Sequence, residues 1–232
     1  MNDITAIAIK QTKDMYKNKA VLIQFLMLPV MALVLTELVA GNETLGIPHL
    51  MFVNMFAAMF TGMILVTVTA GVIAEDREHK SLRFLVMAGV KPGEYLAGIG
   101  AVMLAASLVV TVFFGLIGGL TLLQFGRFMA LMLLSAAASI TLGAVLGMAS
   151  KNQQAATGLA LPVSMVLGFS PMIGMFSDTV KTIFTPFYTM QASLALDDLP
   201  AGIGRPVLII AANIGVLVAL FAVVYKRAGL RN

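Results

Sequence analysis

Long apolar runs, separated by short polar segments, recur from one end of the chain to the other. Runs of roughly 18 or more apolar residues can cross a bilayer as helices. Backbone groups in hydrocarbon find no water, so a span is a helix or part of a closed barrel, and long runs rather than short alternating segments select helices. The pattern predicts an all-α, polytopic membrane protein with six spans, at 20–40, 50–74, 95–123, 128–149, 155–176 and 206–225.

The segment before the first span, 1–19, is basic. Ile4, Ile7, Ala8 and Met15 can share one face of a helix, and the lysines lie elsewhere. This pattern predicts an amphipathic helix in the headgroup layer. An unstructured basic leader is the alternative.

Polar and special residues punctuate the spans. Pro29 is expected to kink the first span, and Glu37 lies near its outer end, where a carboxylate reaches the headgroups; a proton or ion site is the alternative. Methionines spaced four apart mark the second span and indicate adaptable packing or a surface for varied ligands. Pairs of small residues spaced four apart favour close helix contacts, as at 115 and 119 and at 143 and 147.

The longest segment between two spans is 177–205. Its centre, 180–196, is moderately apolar, but it is broken by Pro186 and sprinkled with hydroxyl and amide side chains. It is too polar and too interrupted to span. We expect a re-entrant helical hairpin that enters the membrane from outside or lies on it, since non-helical backbone at membrane depth must be covered by protein or line a cavity.

Composition agrees with a membrane protein and limits the chemistry. The chain is 59% hydrophobic and 11% charged, against about 25% charged in soluble domains. It has no cysteine, which excludes disulfides and thiolate chemistry. With both termini placed in the cytoplasm, all but three of the 15 Lys and Arg lie inside, which predicts that orientation. The exceptions are Arg127, Lys181 and Arg205.

The charged interruption at 74–98 separates the second and third spans. Its ionisable run, 75–80, is expected to lie in water. The next residues, 81–88, predict a short amphipathic helix, because Leu82, Leu85 and Val86 share one face, and Gly89 and Pro92 stop it. We interpret this helix as an element presented to a soluble partner. The alternative is a solvated loop that only obeys the charge asymmetry.

Motifs for catalysis are missing from the sequence. There is no phosphate-binding loop, no zinc-binding helix of the His-Glu-x-x-His type and no nucleophile elbow. No metal site, cofactor site or nucleic-acid site is expected in this chain, and the protein is not expected to be an enzyme. Ionisable residues deep in the spans are nearly absent, which disfavours a proton-coupled carrier.

The segment IAEDREHKSLRFLVMAGVKPGEYLAG resembles the ABC-2 type permeases of bacterial ATP-binding-cassette exporters. The positions that carry the resemblance are Glu75, Glu78, Ser81, Leu82, Leu85, Gly89, Pro92 and Tyr95. The basic N-terminal helix, six spans and broken hairpin are similar to that family over 1–232, which implies a single transmembrane domain. Lys80 departs from the family, where many members have glycine.

The resemblance implies a division of labour. A separate ATPase subunit would bind ATP and Mg and hydrolyse the ATP, and the 81–88 helix would be the coupling helix seated on it. The residues assigned to that contact are Glu75, Glu78, Ser81, Leu82, Leu85 and Val86. Two permease copies, expected to be a homodimer in the cell membrane, would alternate between inward-closed and outward-open arrangements.

The translocation path and the cargo are less defined by the sequence. With the second and fifth spans at the seam between two copies, the candidate lining residues are Asn54, Met55, Met59, Thr61, Ser164 and Ser170. A drug, lipid or antimicrobial peptide suits a lining rich in methionine and phenylalanine, while haem delivery, sodium export and peptide sensing are alternatives within the class. A channel or secondary carrier that needs no ATP is the alternative outside it.

Overall fold

Six long helices dominate the computed structural model, which describes residues 3–87 and 89–230. Each is long and apolar enough to cross a membrane; the six stretches are Lys19–Ala40, Leu50–Glu78, Pro92–Ile117, Leu122–Ala149, Gln153–Gly174 and Gly204–Arg227. Over the described residues the protein is all-helical. The predicted all-α class and the number of candidate spans are therefore confirmed.

The helices are numbered here in chain order. They are α1 (Asp3–Lys17), α2 (Lys19–Leu35), α3 (Leu50–Met59), α4 (Leu65–Glu78), α5 (Ser81–Met87), α6 (Pro92–Ile117), α7 (Leu122–Ala149), α8 (Gln153–Gly174), α9 (Asp178–Phe184), α10 (Tyr188–Asp197) and α11 (Gly204–Leu230). A π-helical turn, Thr36–Ala40, extends α2, and a second, Phe60–Ile64, joins α3 to α4 without a break in the span.

The N-terminal segment is helical, so the unstructured leader is the wrong alternative. Ile7 is buried, with Ile4, Ala8 and Met15 half-buried, as the predicted face requires. Gly98 of α6 makes this contact possible, because a Cβ there would lie 2.7 Å from Ile7 Cγ2. The helix thus packs on the third span, and its position in the headgroup layer stays a prediction.

The link between the third and fourth spans differs from the predicted one. The sequence placed it at 124–127, but those residues lie within α7, and the chain turns at 118–121. Gly119 takes a positive φ of 58°, which suits glycine. Thr121 then caps the start of α7. Its hydroxyl accepts from the backbone N–H of Gln124, and the Gln124 side chain accepts from the backbone N–H of Thr121.

Close glycine contacts fix the centre of the bundle. A Cβ on Gly143 of α7 would lie 2.6 Å from the carbonyl oxygen of Val66, and one on Gly147 would lie 2.6 Å from that of Ala70. The small-residue pair of the fourth span therefore seats α7 directly on α4. The pair at 115 and 119 does not act this way, because Gly115 receives the ring of Phe125 and Gly119 lies in the turn.

The connections gather at two opposite ends of the bundle. One, here called the charged end, carries α1, α5 and the turn at 150–152; Arg77 donates to the carbonyl of Ser150 there at 2.5 Å. The other, here called the hairpin end, carries 41–49, 118–121 and the segment 175–203 with α9 and α10. Among the six spans, Leu50–Glu78 is the most buried and Gly204–Arg227 the least.

Candidate docking site at the charged end

The end of α4 is not a solvated loop but carries three side chains that bond to other helices, Asp76, Arg77 and Glu78. This cluster is here called the hub. The sequence predicted that 75–80 lies in water, but α4 continues to Glu78 and Asp76 is buried. Asp76 accepts a hydrogen bond from the Tyr95 hydroxyl at 2.9 Å and forms an ion pair with Lys10. A buried carboxylate needs such partners, since an unpaired charge in a dry site is costly. Asp76 therefore ties α4 to α6 and to α1.

The next two residues tie α4 to the fourth and fifth spans. Arg77 donates to the carbonyls of Met148 and Ser150, which the end of α7 leaves without helical partners. Glu78 accepts from the backbone N–H of Gln153 at 3.0 Å, at the start of α8. A carboxylate at a helix N-terminus is favourable because it meets unpaired N–H groups and the positive end of the helix dipole.

The turn from α4 into α5 is tight and carries some backbone strain. Lys80 has a φ of 59°, in the left-handed region that a side chain disfavours. This is the position at which the sequence departs from the glycine of many ABC-2 permeases. Strain of this kind persists where the surroundings determine the turn, and here the hub at the end of α4 holds one side of it.

Helix α5 presents a different apolar face from the predicted one. Leu82 is only 7% exposed and Leu85 is half-buried against the chain's own core. Phe84 and Met87, by contrast, are 67% and 65% exposed. The side chain of Val86 and the residue Ala88, the predicted end of the helix, lie outside the described residues. Among the apolar side chains of α5 that the structure describes, therefore, those open to a partner are Phe84 and Met87.

The exit from α5 is anchored as firmly as its start. Gly89, with a φ of 87°, lets the N–H of Val90 bond back to the carbonyl of Leu85 at 3.1 Å. That bond closes a helix in the way glycine permits after its last turn. The Tyr225 hydroxyl of α11 donates to the carbonyl of Val90 at 3.3 Å. The last span is thus also joined to this end.

A polar cleft of about 710 Å³ opens beside α5, between α1 and the end of α4. Two residues assigned from the sequence, Glu75 and Ser81, line it, together with Lys10, Asp14 and Lys19. The five assigned coupling residues whose side chains the structure describes therefore form three groups: Glu75 and Ser81 at the cleft, Glu78 at the start of α8, and the two leucines beneath α5. Their role in partner binding stays a prediction.

The candidate path residues on the second and fifth spans are mostly buried within this chain. Asn54 donates to the Leu196 carbonyl at 3.0 Å and to Asp197 at 3.2 Å, so it holds α10 against α3. Thr61 donates to its own helix backbone, and Ser164 and Ser170 do the same. Of the two methionines, Met59 is buried and Met55 half-buried. Their lining role stays a prediction.

The second and fifth spans do meet directly. At the π-helical turn, a Cβ on Gly62 would lie 2.8 Å from the Cα of Gly168 in α8. The two backbones therefore touch between Pro162 and Pro171, which lie inside the continuous helix α8 and do not end it. Within one chain, therefore, the second and fifth spans form a close packing contact, and their place at a seam between two copies stays a prediction.

Burial also shifts ionisation outside the spans, at the hairpin end. Burial raises the pKa of Asp197, and the hydrogen bond from Asn54 and the charge of Lys181 partly oppose that rise. Burial raises the pKa of Tyr188, whose oxygen accepts from Ser139 at 3.0 Å. Among the described residues, no group of three His, Asp or Glu side chains could hold a metal ion.

Sequence reasoning missed the partners that hold the hub. Lys10 and Asp76 are 66 residues apart, and Tyr225 and Val90 are 135 apart. No local pattern joins such positions. The exposed pair Phe84 and Met87 had a signal, since it lies three residues apart on one face, but the offsets of Leu82 and Leu85 defined a stronger one.

An all-helical bundle of six spans, with a short helix held out at a charged end, defines the membrane domain of a multi-pass membrane protein. The sequence profile described as "ABC-2 family transporter protein" matches residues 2–226. The chain belongs to this family, whose members are membrane-embedded permeases of ABC-type transporters, generally without catalysis of their own. Such systems include an ATPase partner. No curated protein matches the chain.

Proposed function

We propose that this chain is the permease subunit of an exporter, in which a separate ATPase docks on α5 at a cytoplasmic charged end. The observation that carries the proposal is the exposure of Phe84 and Met87 on a helix whose base is fixed. Large apolar side chains on a water-facing helix indicate an interaction surface. The excess of Lys and Arg at the same end supports its cytoplasmic placement.

The hub gives a route by which movement of α5 would reach the spans. Helix α5 follows α4 after a two-residue turn, and the end of α4 is bonded to α1, α6, α7 and α8 through Asp76, Arg77 and Glu78. A push on α5 would therefore act on several spans at once. Closure of two ATPase subunits on ATP and Mg would supply that push, and two permease copies would respond together.

The cargo that fits this proposal is hydrophobic or amphipathic. Support comes from composition: the chain has 17 methionines and 14 phenylalanines, and methionine surfaces adapt to ligands of different shape. The described spans carry few ionisable groups away from their ends, so strong coordination of a small hydrophilic ion in one chain is not favoured.

The docking surface is tested by co-purification of the ATPase with a Phe84→Asp, Met87→Asp double variant. Loss of an apolar anchor pair that is buried on docking should weaken binding by at least about thirtyfold. Leu122→Asp is the matched control, since Leu122 is also highly exposed but lies at the hairpin end. We expect the control to retain the ATPase and the double variant to lose it.

Two results would contradict the proposal. A double variant that retains the ATPase would show that α5 is not the docking element. Transport by the purified chain in vesicles without ATP or ATPase would favour a channel or secondary carrier instead. Strict dependence on ATP, with cargo leaving the side that carries the charged end, is the result we expect.

A further inference from the structure

An apolar groove of about 820 Å³ lies far from the charged end, between α8, the turn from α9 into α10, and α11. Its volume falls within the range of ligand sites in proteins. Residues from five helices, α7 to α11, line it, among them Val166 of α8 and Ala212 and Val216 of α11, together with Phe187 in the turn before α10. Because α8 and α11 are spans, the groove opens towards the hydrocarbon of the bilayer.

The walls of the groove are held in place by hydrogen bonds and ring contacts. The Asn213 amide donates to the carbonyl of Pro186 at 3.0 Å and to that of Ile209 at 2.8 Å. The bond to Pro186 holds the turn between α9 and α10 against the last span. The rings of Phe184 and Phe187 contact each other, with centroids 5.4 Å apart. The groove is therefore a formed feature, not a gap between loosely packed helices.

Two exposed cations lie beyond the groove lining, on its side towards the hairpin end. Arg205 is seven residues before Ala212 and eleven before Val216, so the three residues share one stripe of α11. Lys181 is three residues before Phe184 and lies on the same side of α9. Of the described residues only Lys10 and Asp76 form an ion pair, so neither cation is neutralised by a direct one.

The distance along α11 from Arg205 to the far part of the groove lining is comparable to the thickness of one leaflet. From Arg205 to Val216 the helix rises about 16 Å, and half of the hydrocarbon core is about 15 Å thick. A phosphate at the level of Arg205 and Lys181 would therefore place an acyl chain along Ala212 and Val216 down to about the bilayer midplane.

We propose that this groove binds one acyl chain of an anionic phospholipid, whose phosphate lies beside Arg205 and Lys181. The nearby carboxylates are Asp178, in the first turn of α9, and Asp197, whose ionisation the charge of Lys181 favours. Arg205 is therefore the stronger headgroup contact. The site requires only that the chain is embedded in a membrane, so it does not depend on the cargo or on the docking of an ATPase.

The chain has no tryptophan, so a single introduced tryptophan is a clean reporter. Phe187→Trp places it in the groove, and Val218→Trp is the matched control, because Val218 is on α11 outside the groove and both side chains are 42% exposed. Each full-length variant is placed in vesicles of brominated phosphatidylglycerol and then transferred into a detergent without bromine. Ile183→Trp, also in the groove, replaces Phe187→Trp if that variant does not fold.

We expect both reporters to be quenched in the vesicles and only the groove reporter to stay quenched in detergent. Less brominated phosphatidylcholine than brominated phosphatidylglycerol should stay bound in detergent. Arg205→Gln should lower the amount of phosphatidylglycerol that stays bound by roughly fivefold, which is the effect of one cation near an anionic headgroup. If the fluorescence of both reporters recovers equally in detergent, the quenching came only from the lipid layer around the protein, and the proposal is overturned. Equal retention of both lipids would also overturn it, as would a groove reporter that is unquenched even in vesicles because a second copy covers it.

Discussion

Two of the short helices outside the spans, α5 and α10, are anchored alike and exposed differently. Both are tied by side chains that bond to backbone carbonyls, as Tyr225 does beside α5 and Asn54 does at α10. Nearly all of α10 is buried among the spans, whereas α5 exposes its two largest apolar side chains, Phe84 and Met87. Anchoring without burial is what a docking element needs, because the helix must transmit a force and still offer its surface.

The largest expected contrast is in stability. Tyr188 of α10 is fully buried and accepts from Ser139, so Tyr188→Ala should lower the free energy of unfolding by about 3–5 kcal/mol, as for other large buried aromatics. Phe84→Ala on α5 should change it by no more than about 0.5 kcal/mol. Unfolding in detergent by heat or denaturant measures both. A similar loss in the two variants would mean that α5 is part of the packed core.

The stability of the hub beneath α5 should depend more on the hydrogen-bond acceptor at position 76 than on the negative charge there. Asp76→Ala leaves the buried Tyr95 hydroxyl without its partner, at a cost of about 1–3 kcal/mol. Asp76→Asn keeps an acceptor and loses only the ion pair with the half-exposed Lys10, which is worth about 0–1 kcal/mol. The same unfolding measurement compares them, and equal losses would show that the ion pair, not the tyrosine contact, holds the hub.

The stability that α10 contributes should also depend on pH. Burial raises the pKa of Asp197 in the folded protein, so the folded state holds this proton more tightly than the unfolded state does. The stabilisation is complete at pH values below the ordinary pKa of an aspartate and is lost as the pH rises through the folded value. Asp197→Asn should remove this pH-dependent part while keeping an oxygen for the Asn54 amide.

The measurement is the difference in Tm between the variant and the unchanged chain, followed from neutral pH downwards. The difference should shift in favour of the unchanged chain as the pH falls. Lys181→Ala, which removes the cation that opposes the rise in the pKa of Asp197, serves as a second check and should enlarge the shift. A difference in Tm that is constant with pH would contradict the account of α10.

The smallest expected effect is at the turn into α5. Lys80 has a positive φ, so Lys80→Gly should stabilise the chain by up to about 1 kcal/mol by removing the steric penalty of the side chain, less the entropy that glycine adds to the unfolded state. Lys80→Ala keeps a Cβ and should gain nothing. If glycine destabilises the chain more than alanine does, the turn is not strained as described.

The spans followed from apolar length alone, and a close helix contact followed from the spacing of Gly143 and Gly147, but only the structure identifies α4 as the partner. The turn at 118–121 was concealed because leucines flank it, although the capping pair Thr121 and Gln124 was a readable sign. A local sequence pattern therefore predicts the length of a helix better than it predicts the point at which one apolar helix ends and the next begins.

The direction of the α5 face could not be read from sequence. The offsets of Leu82 and Leu85 define an apolar stripe, but a stripe fits the chain's own core as well as a partner's groove, and the structure shows the first. The partner of Asn54, Asp197, is 143 residues away, and such pairings follow from the assembled bundle rather than from any window. The sequence thus predicted the helix α5, and the side chains that it exposes required the three-dimensional packing.

The central claim is that α5 carries the surface on which an ATPase docks, and accessibility of that surface tests it most directly. The chain has no cysteine, so Phe84→Cys carries a single thiol, and a thiol-reactive reagent that cannot cross membranes reports its exposure. The account predicts rapid labelling from the cytoplasmic side of the permease alone and protection when the ATPase is bound. Equal labelling with and without the ATPase, or labelling only from outside, would contradict it.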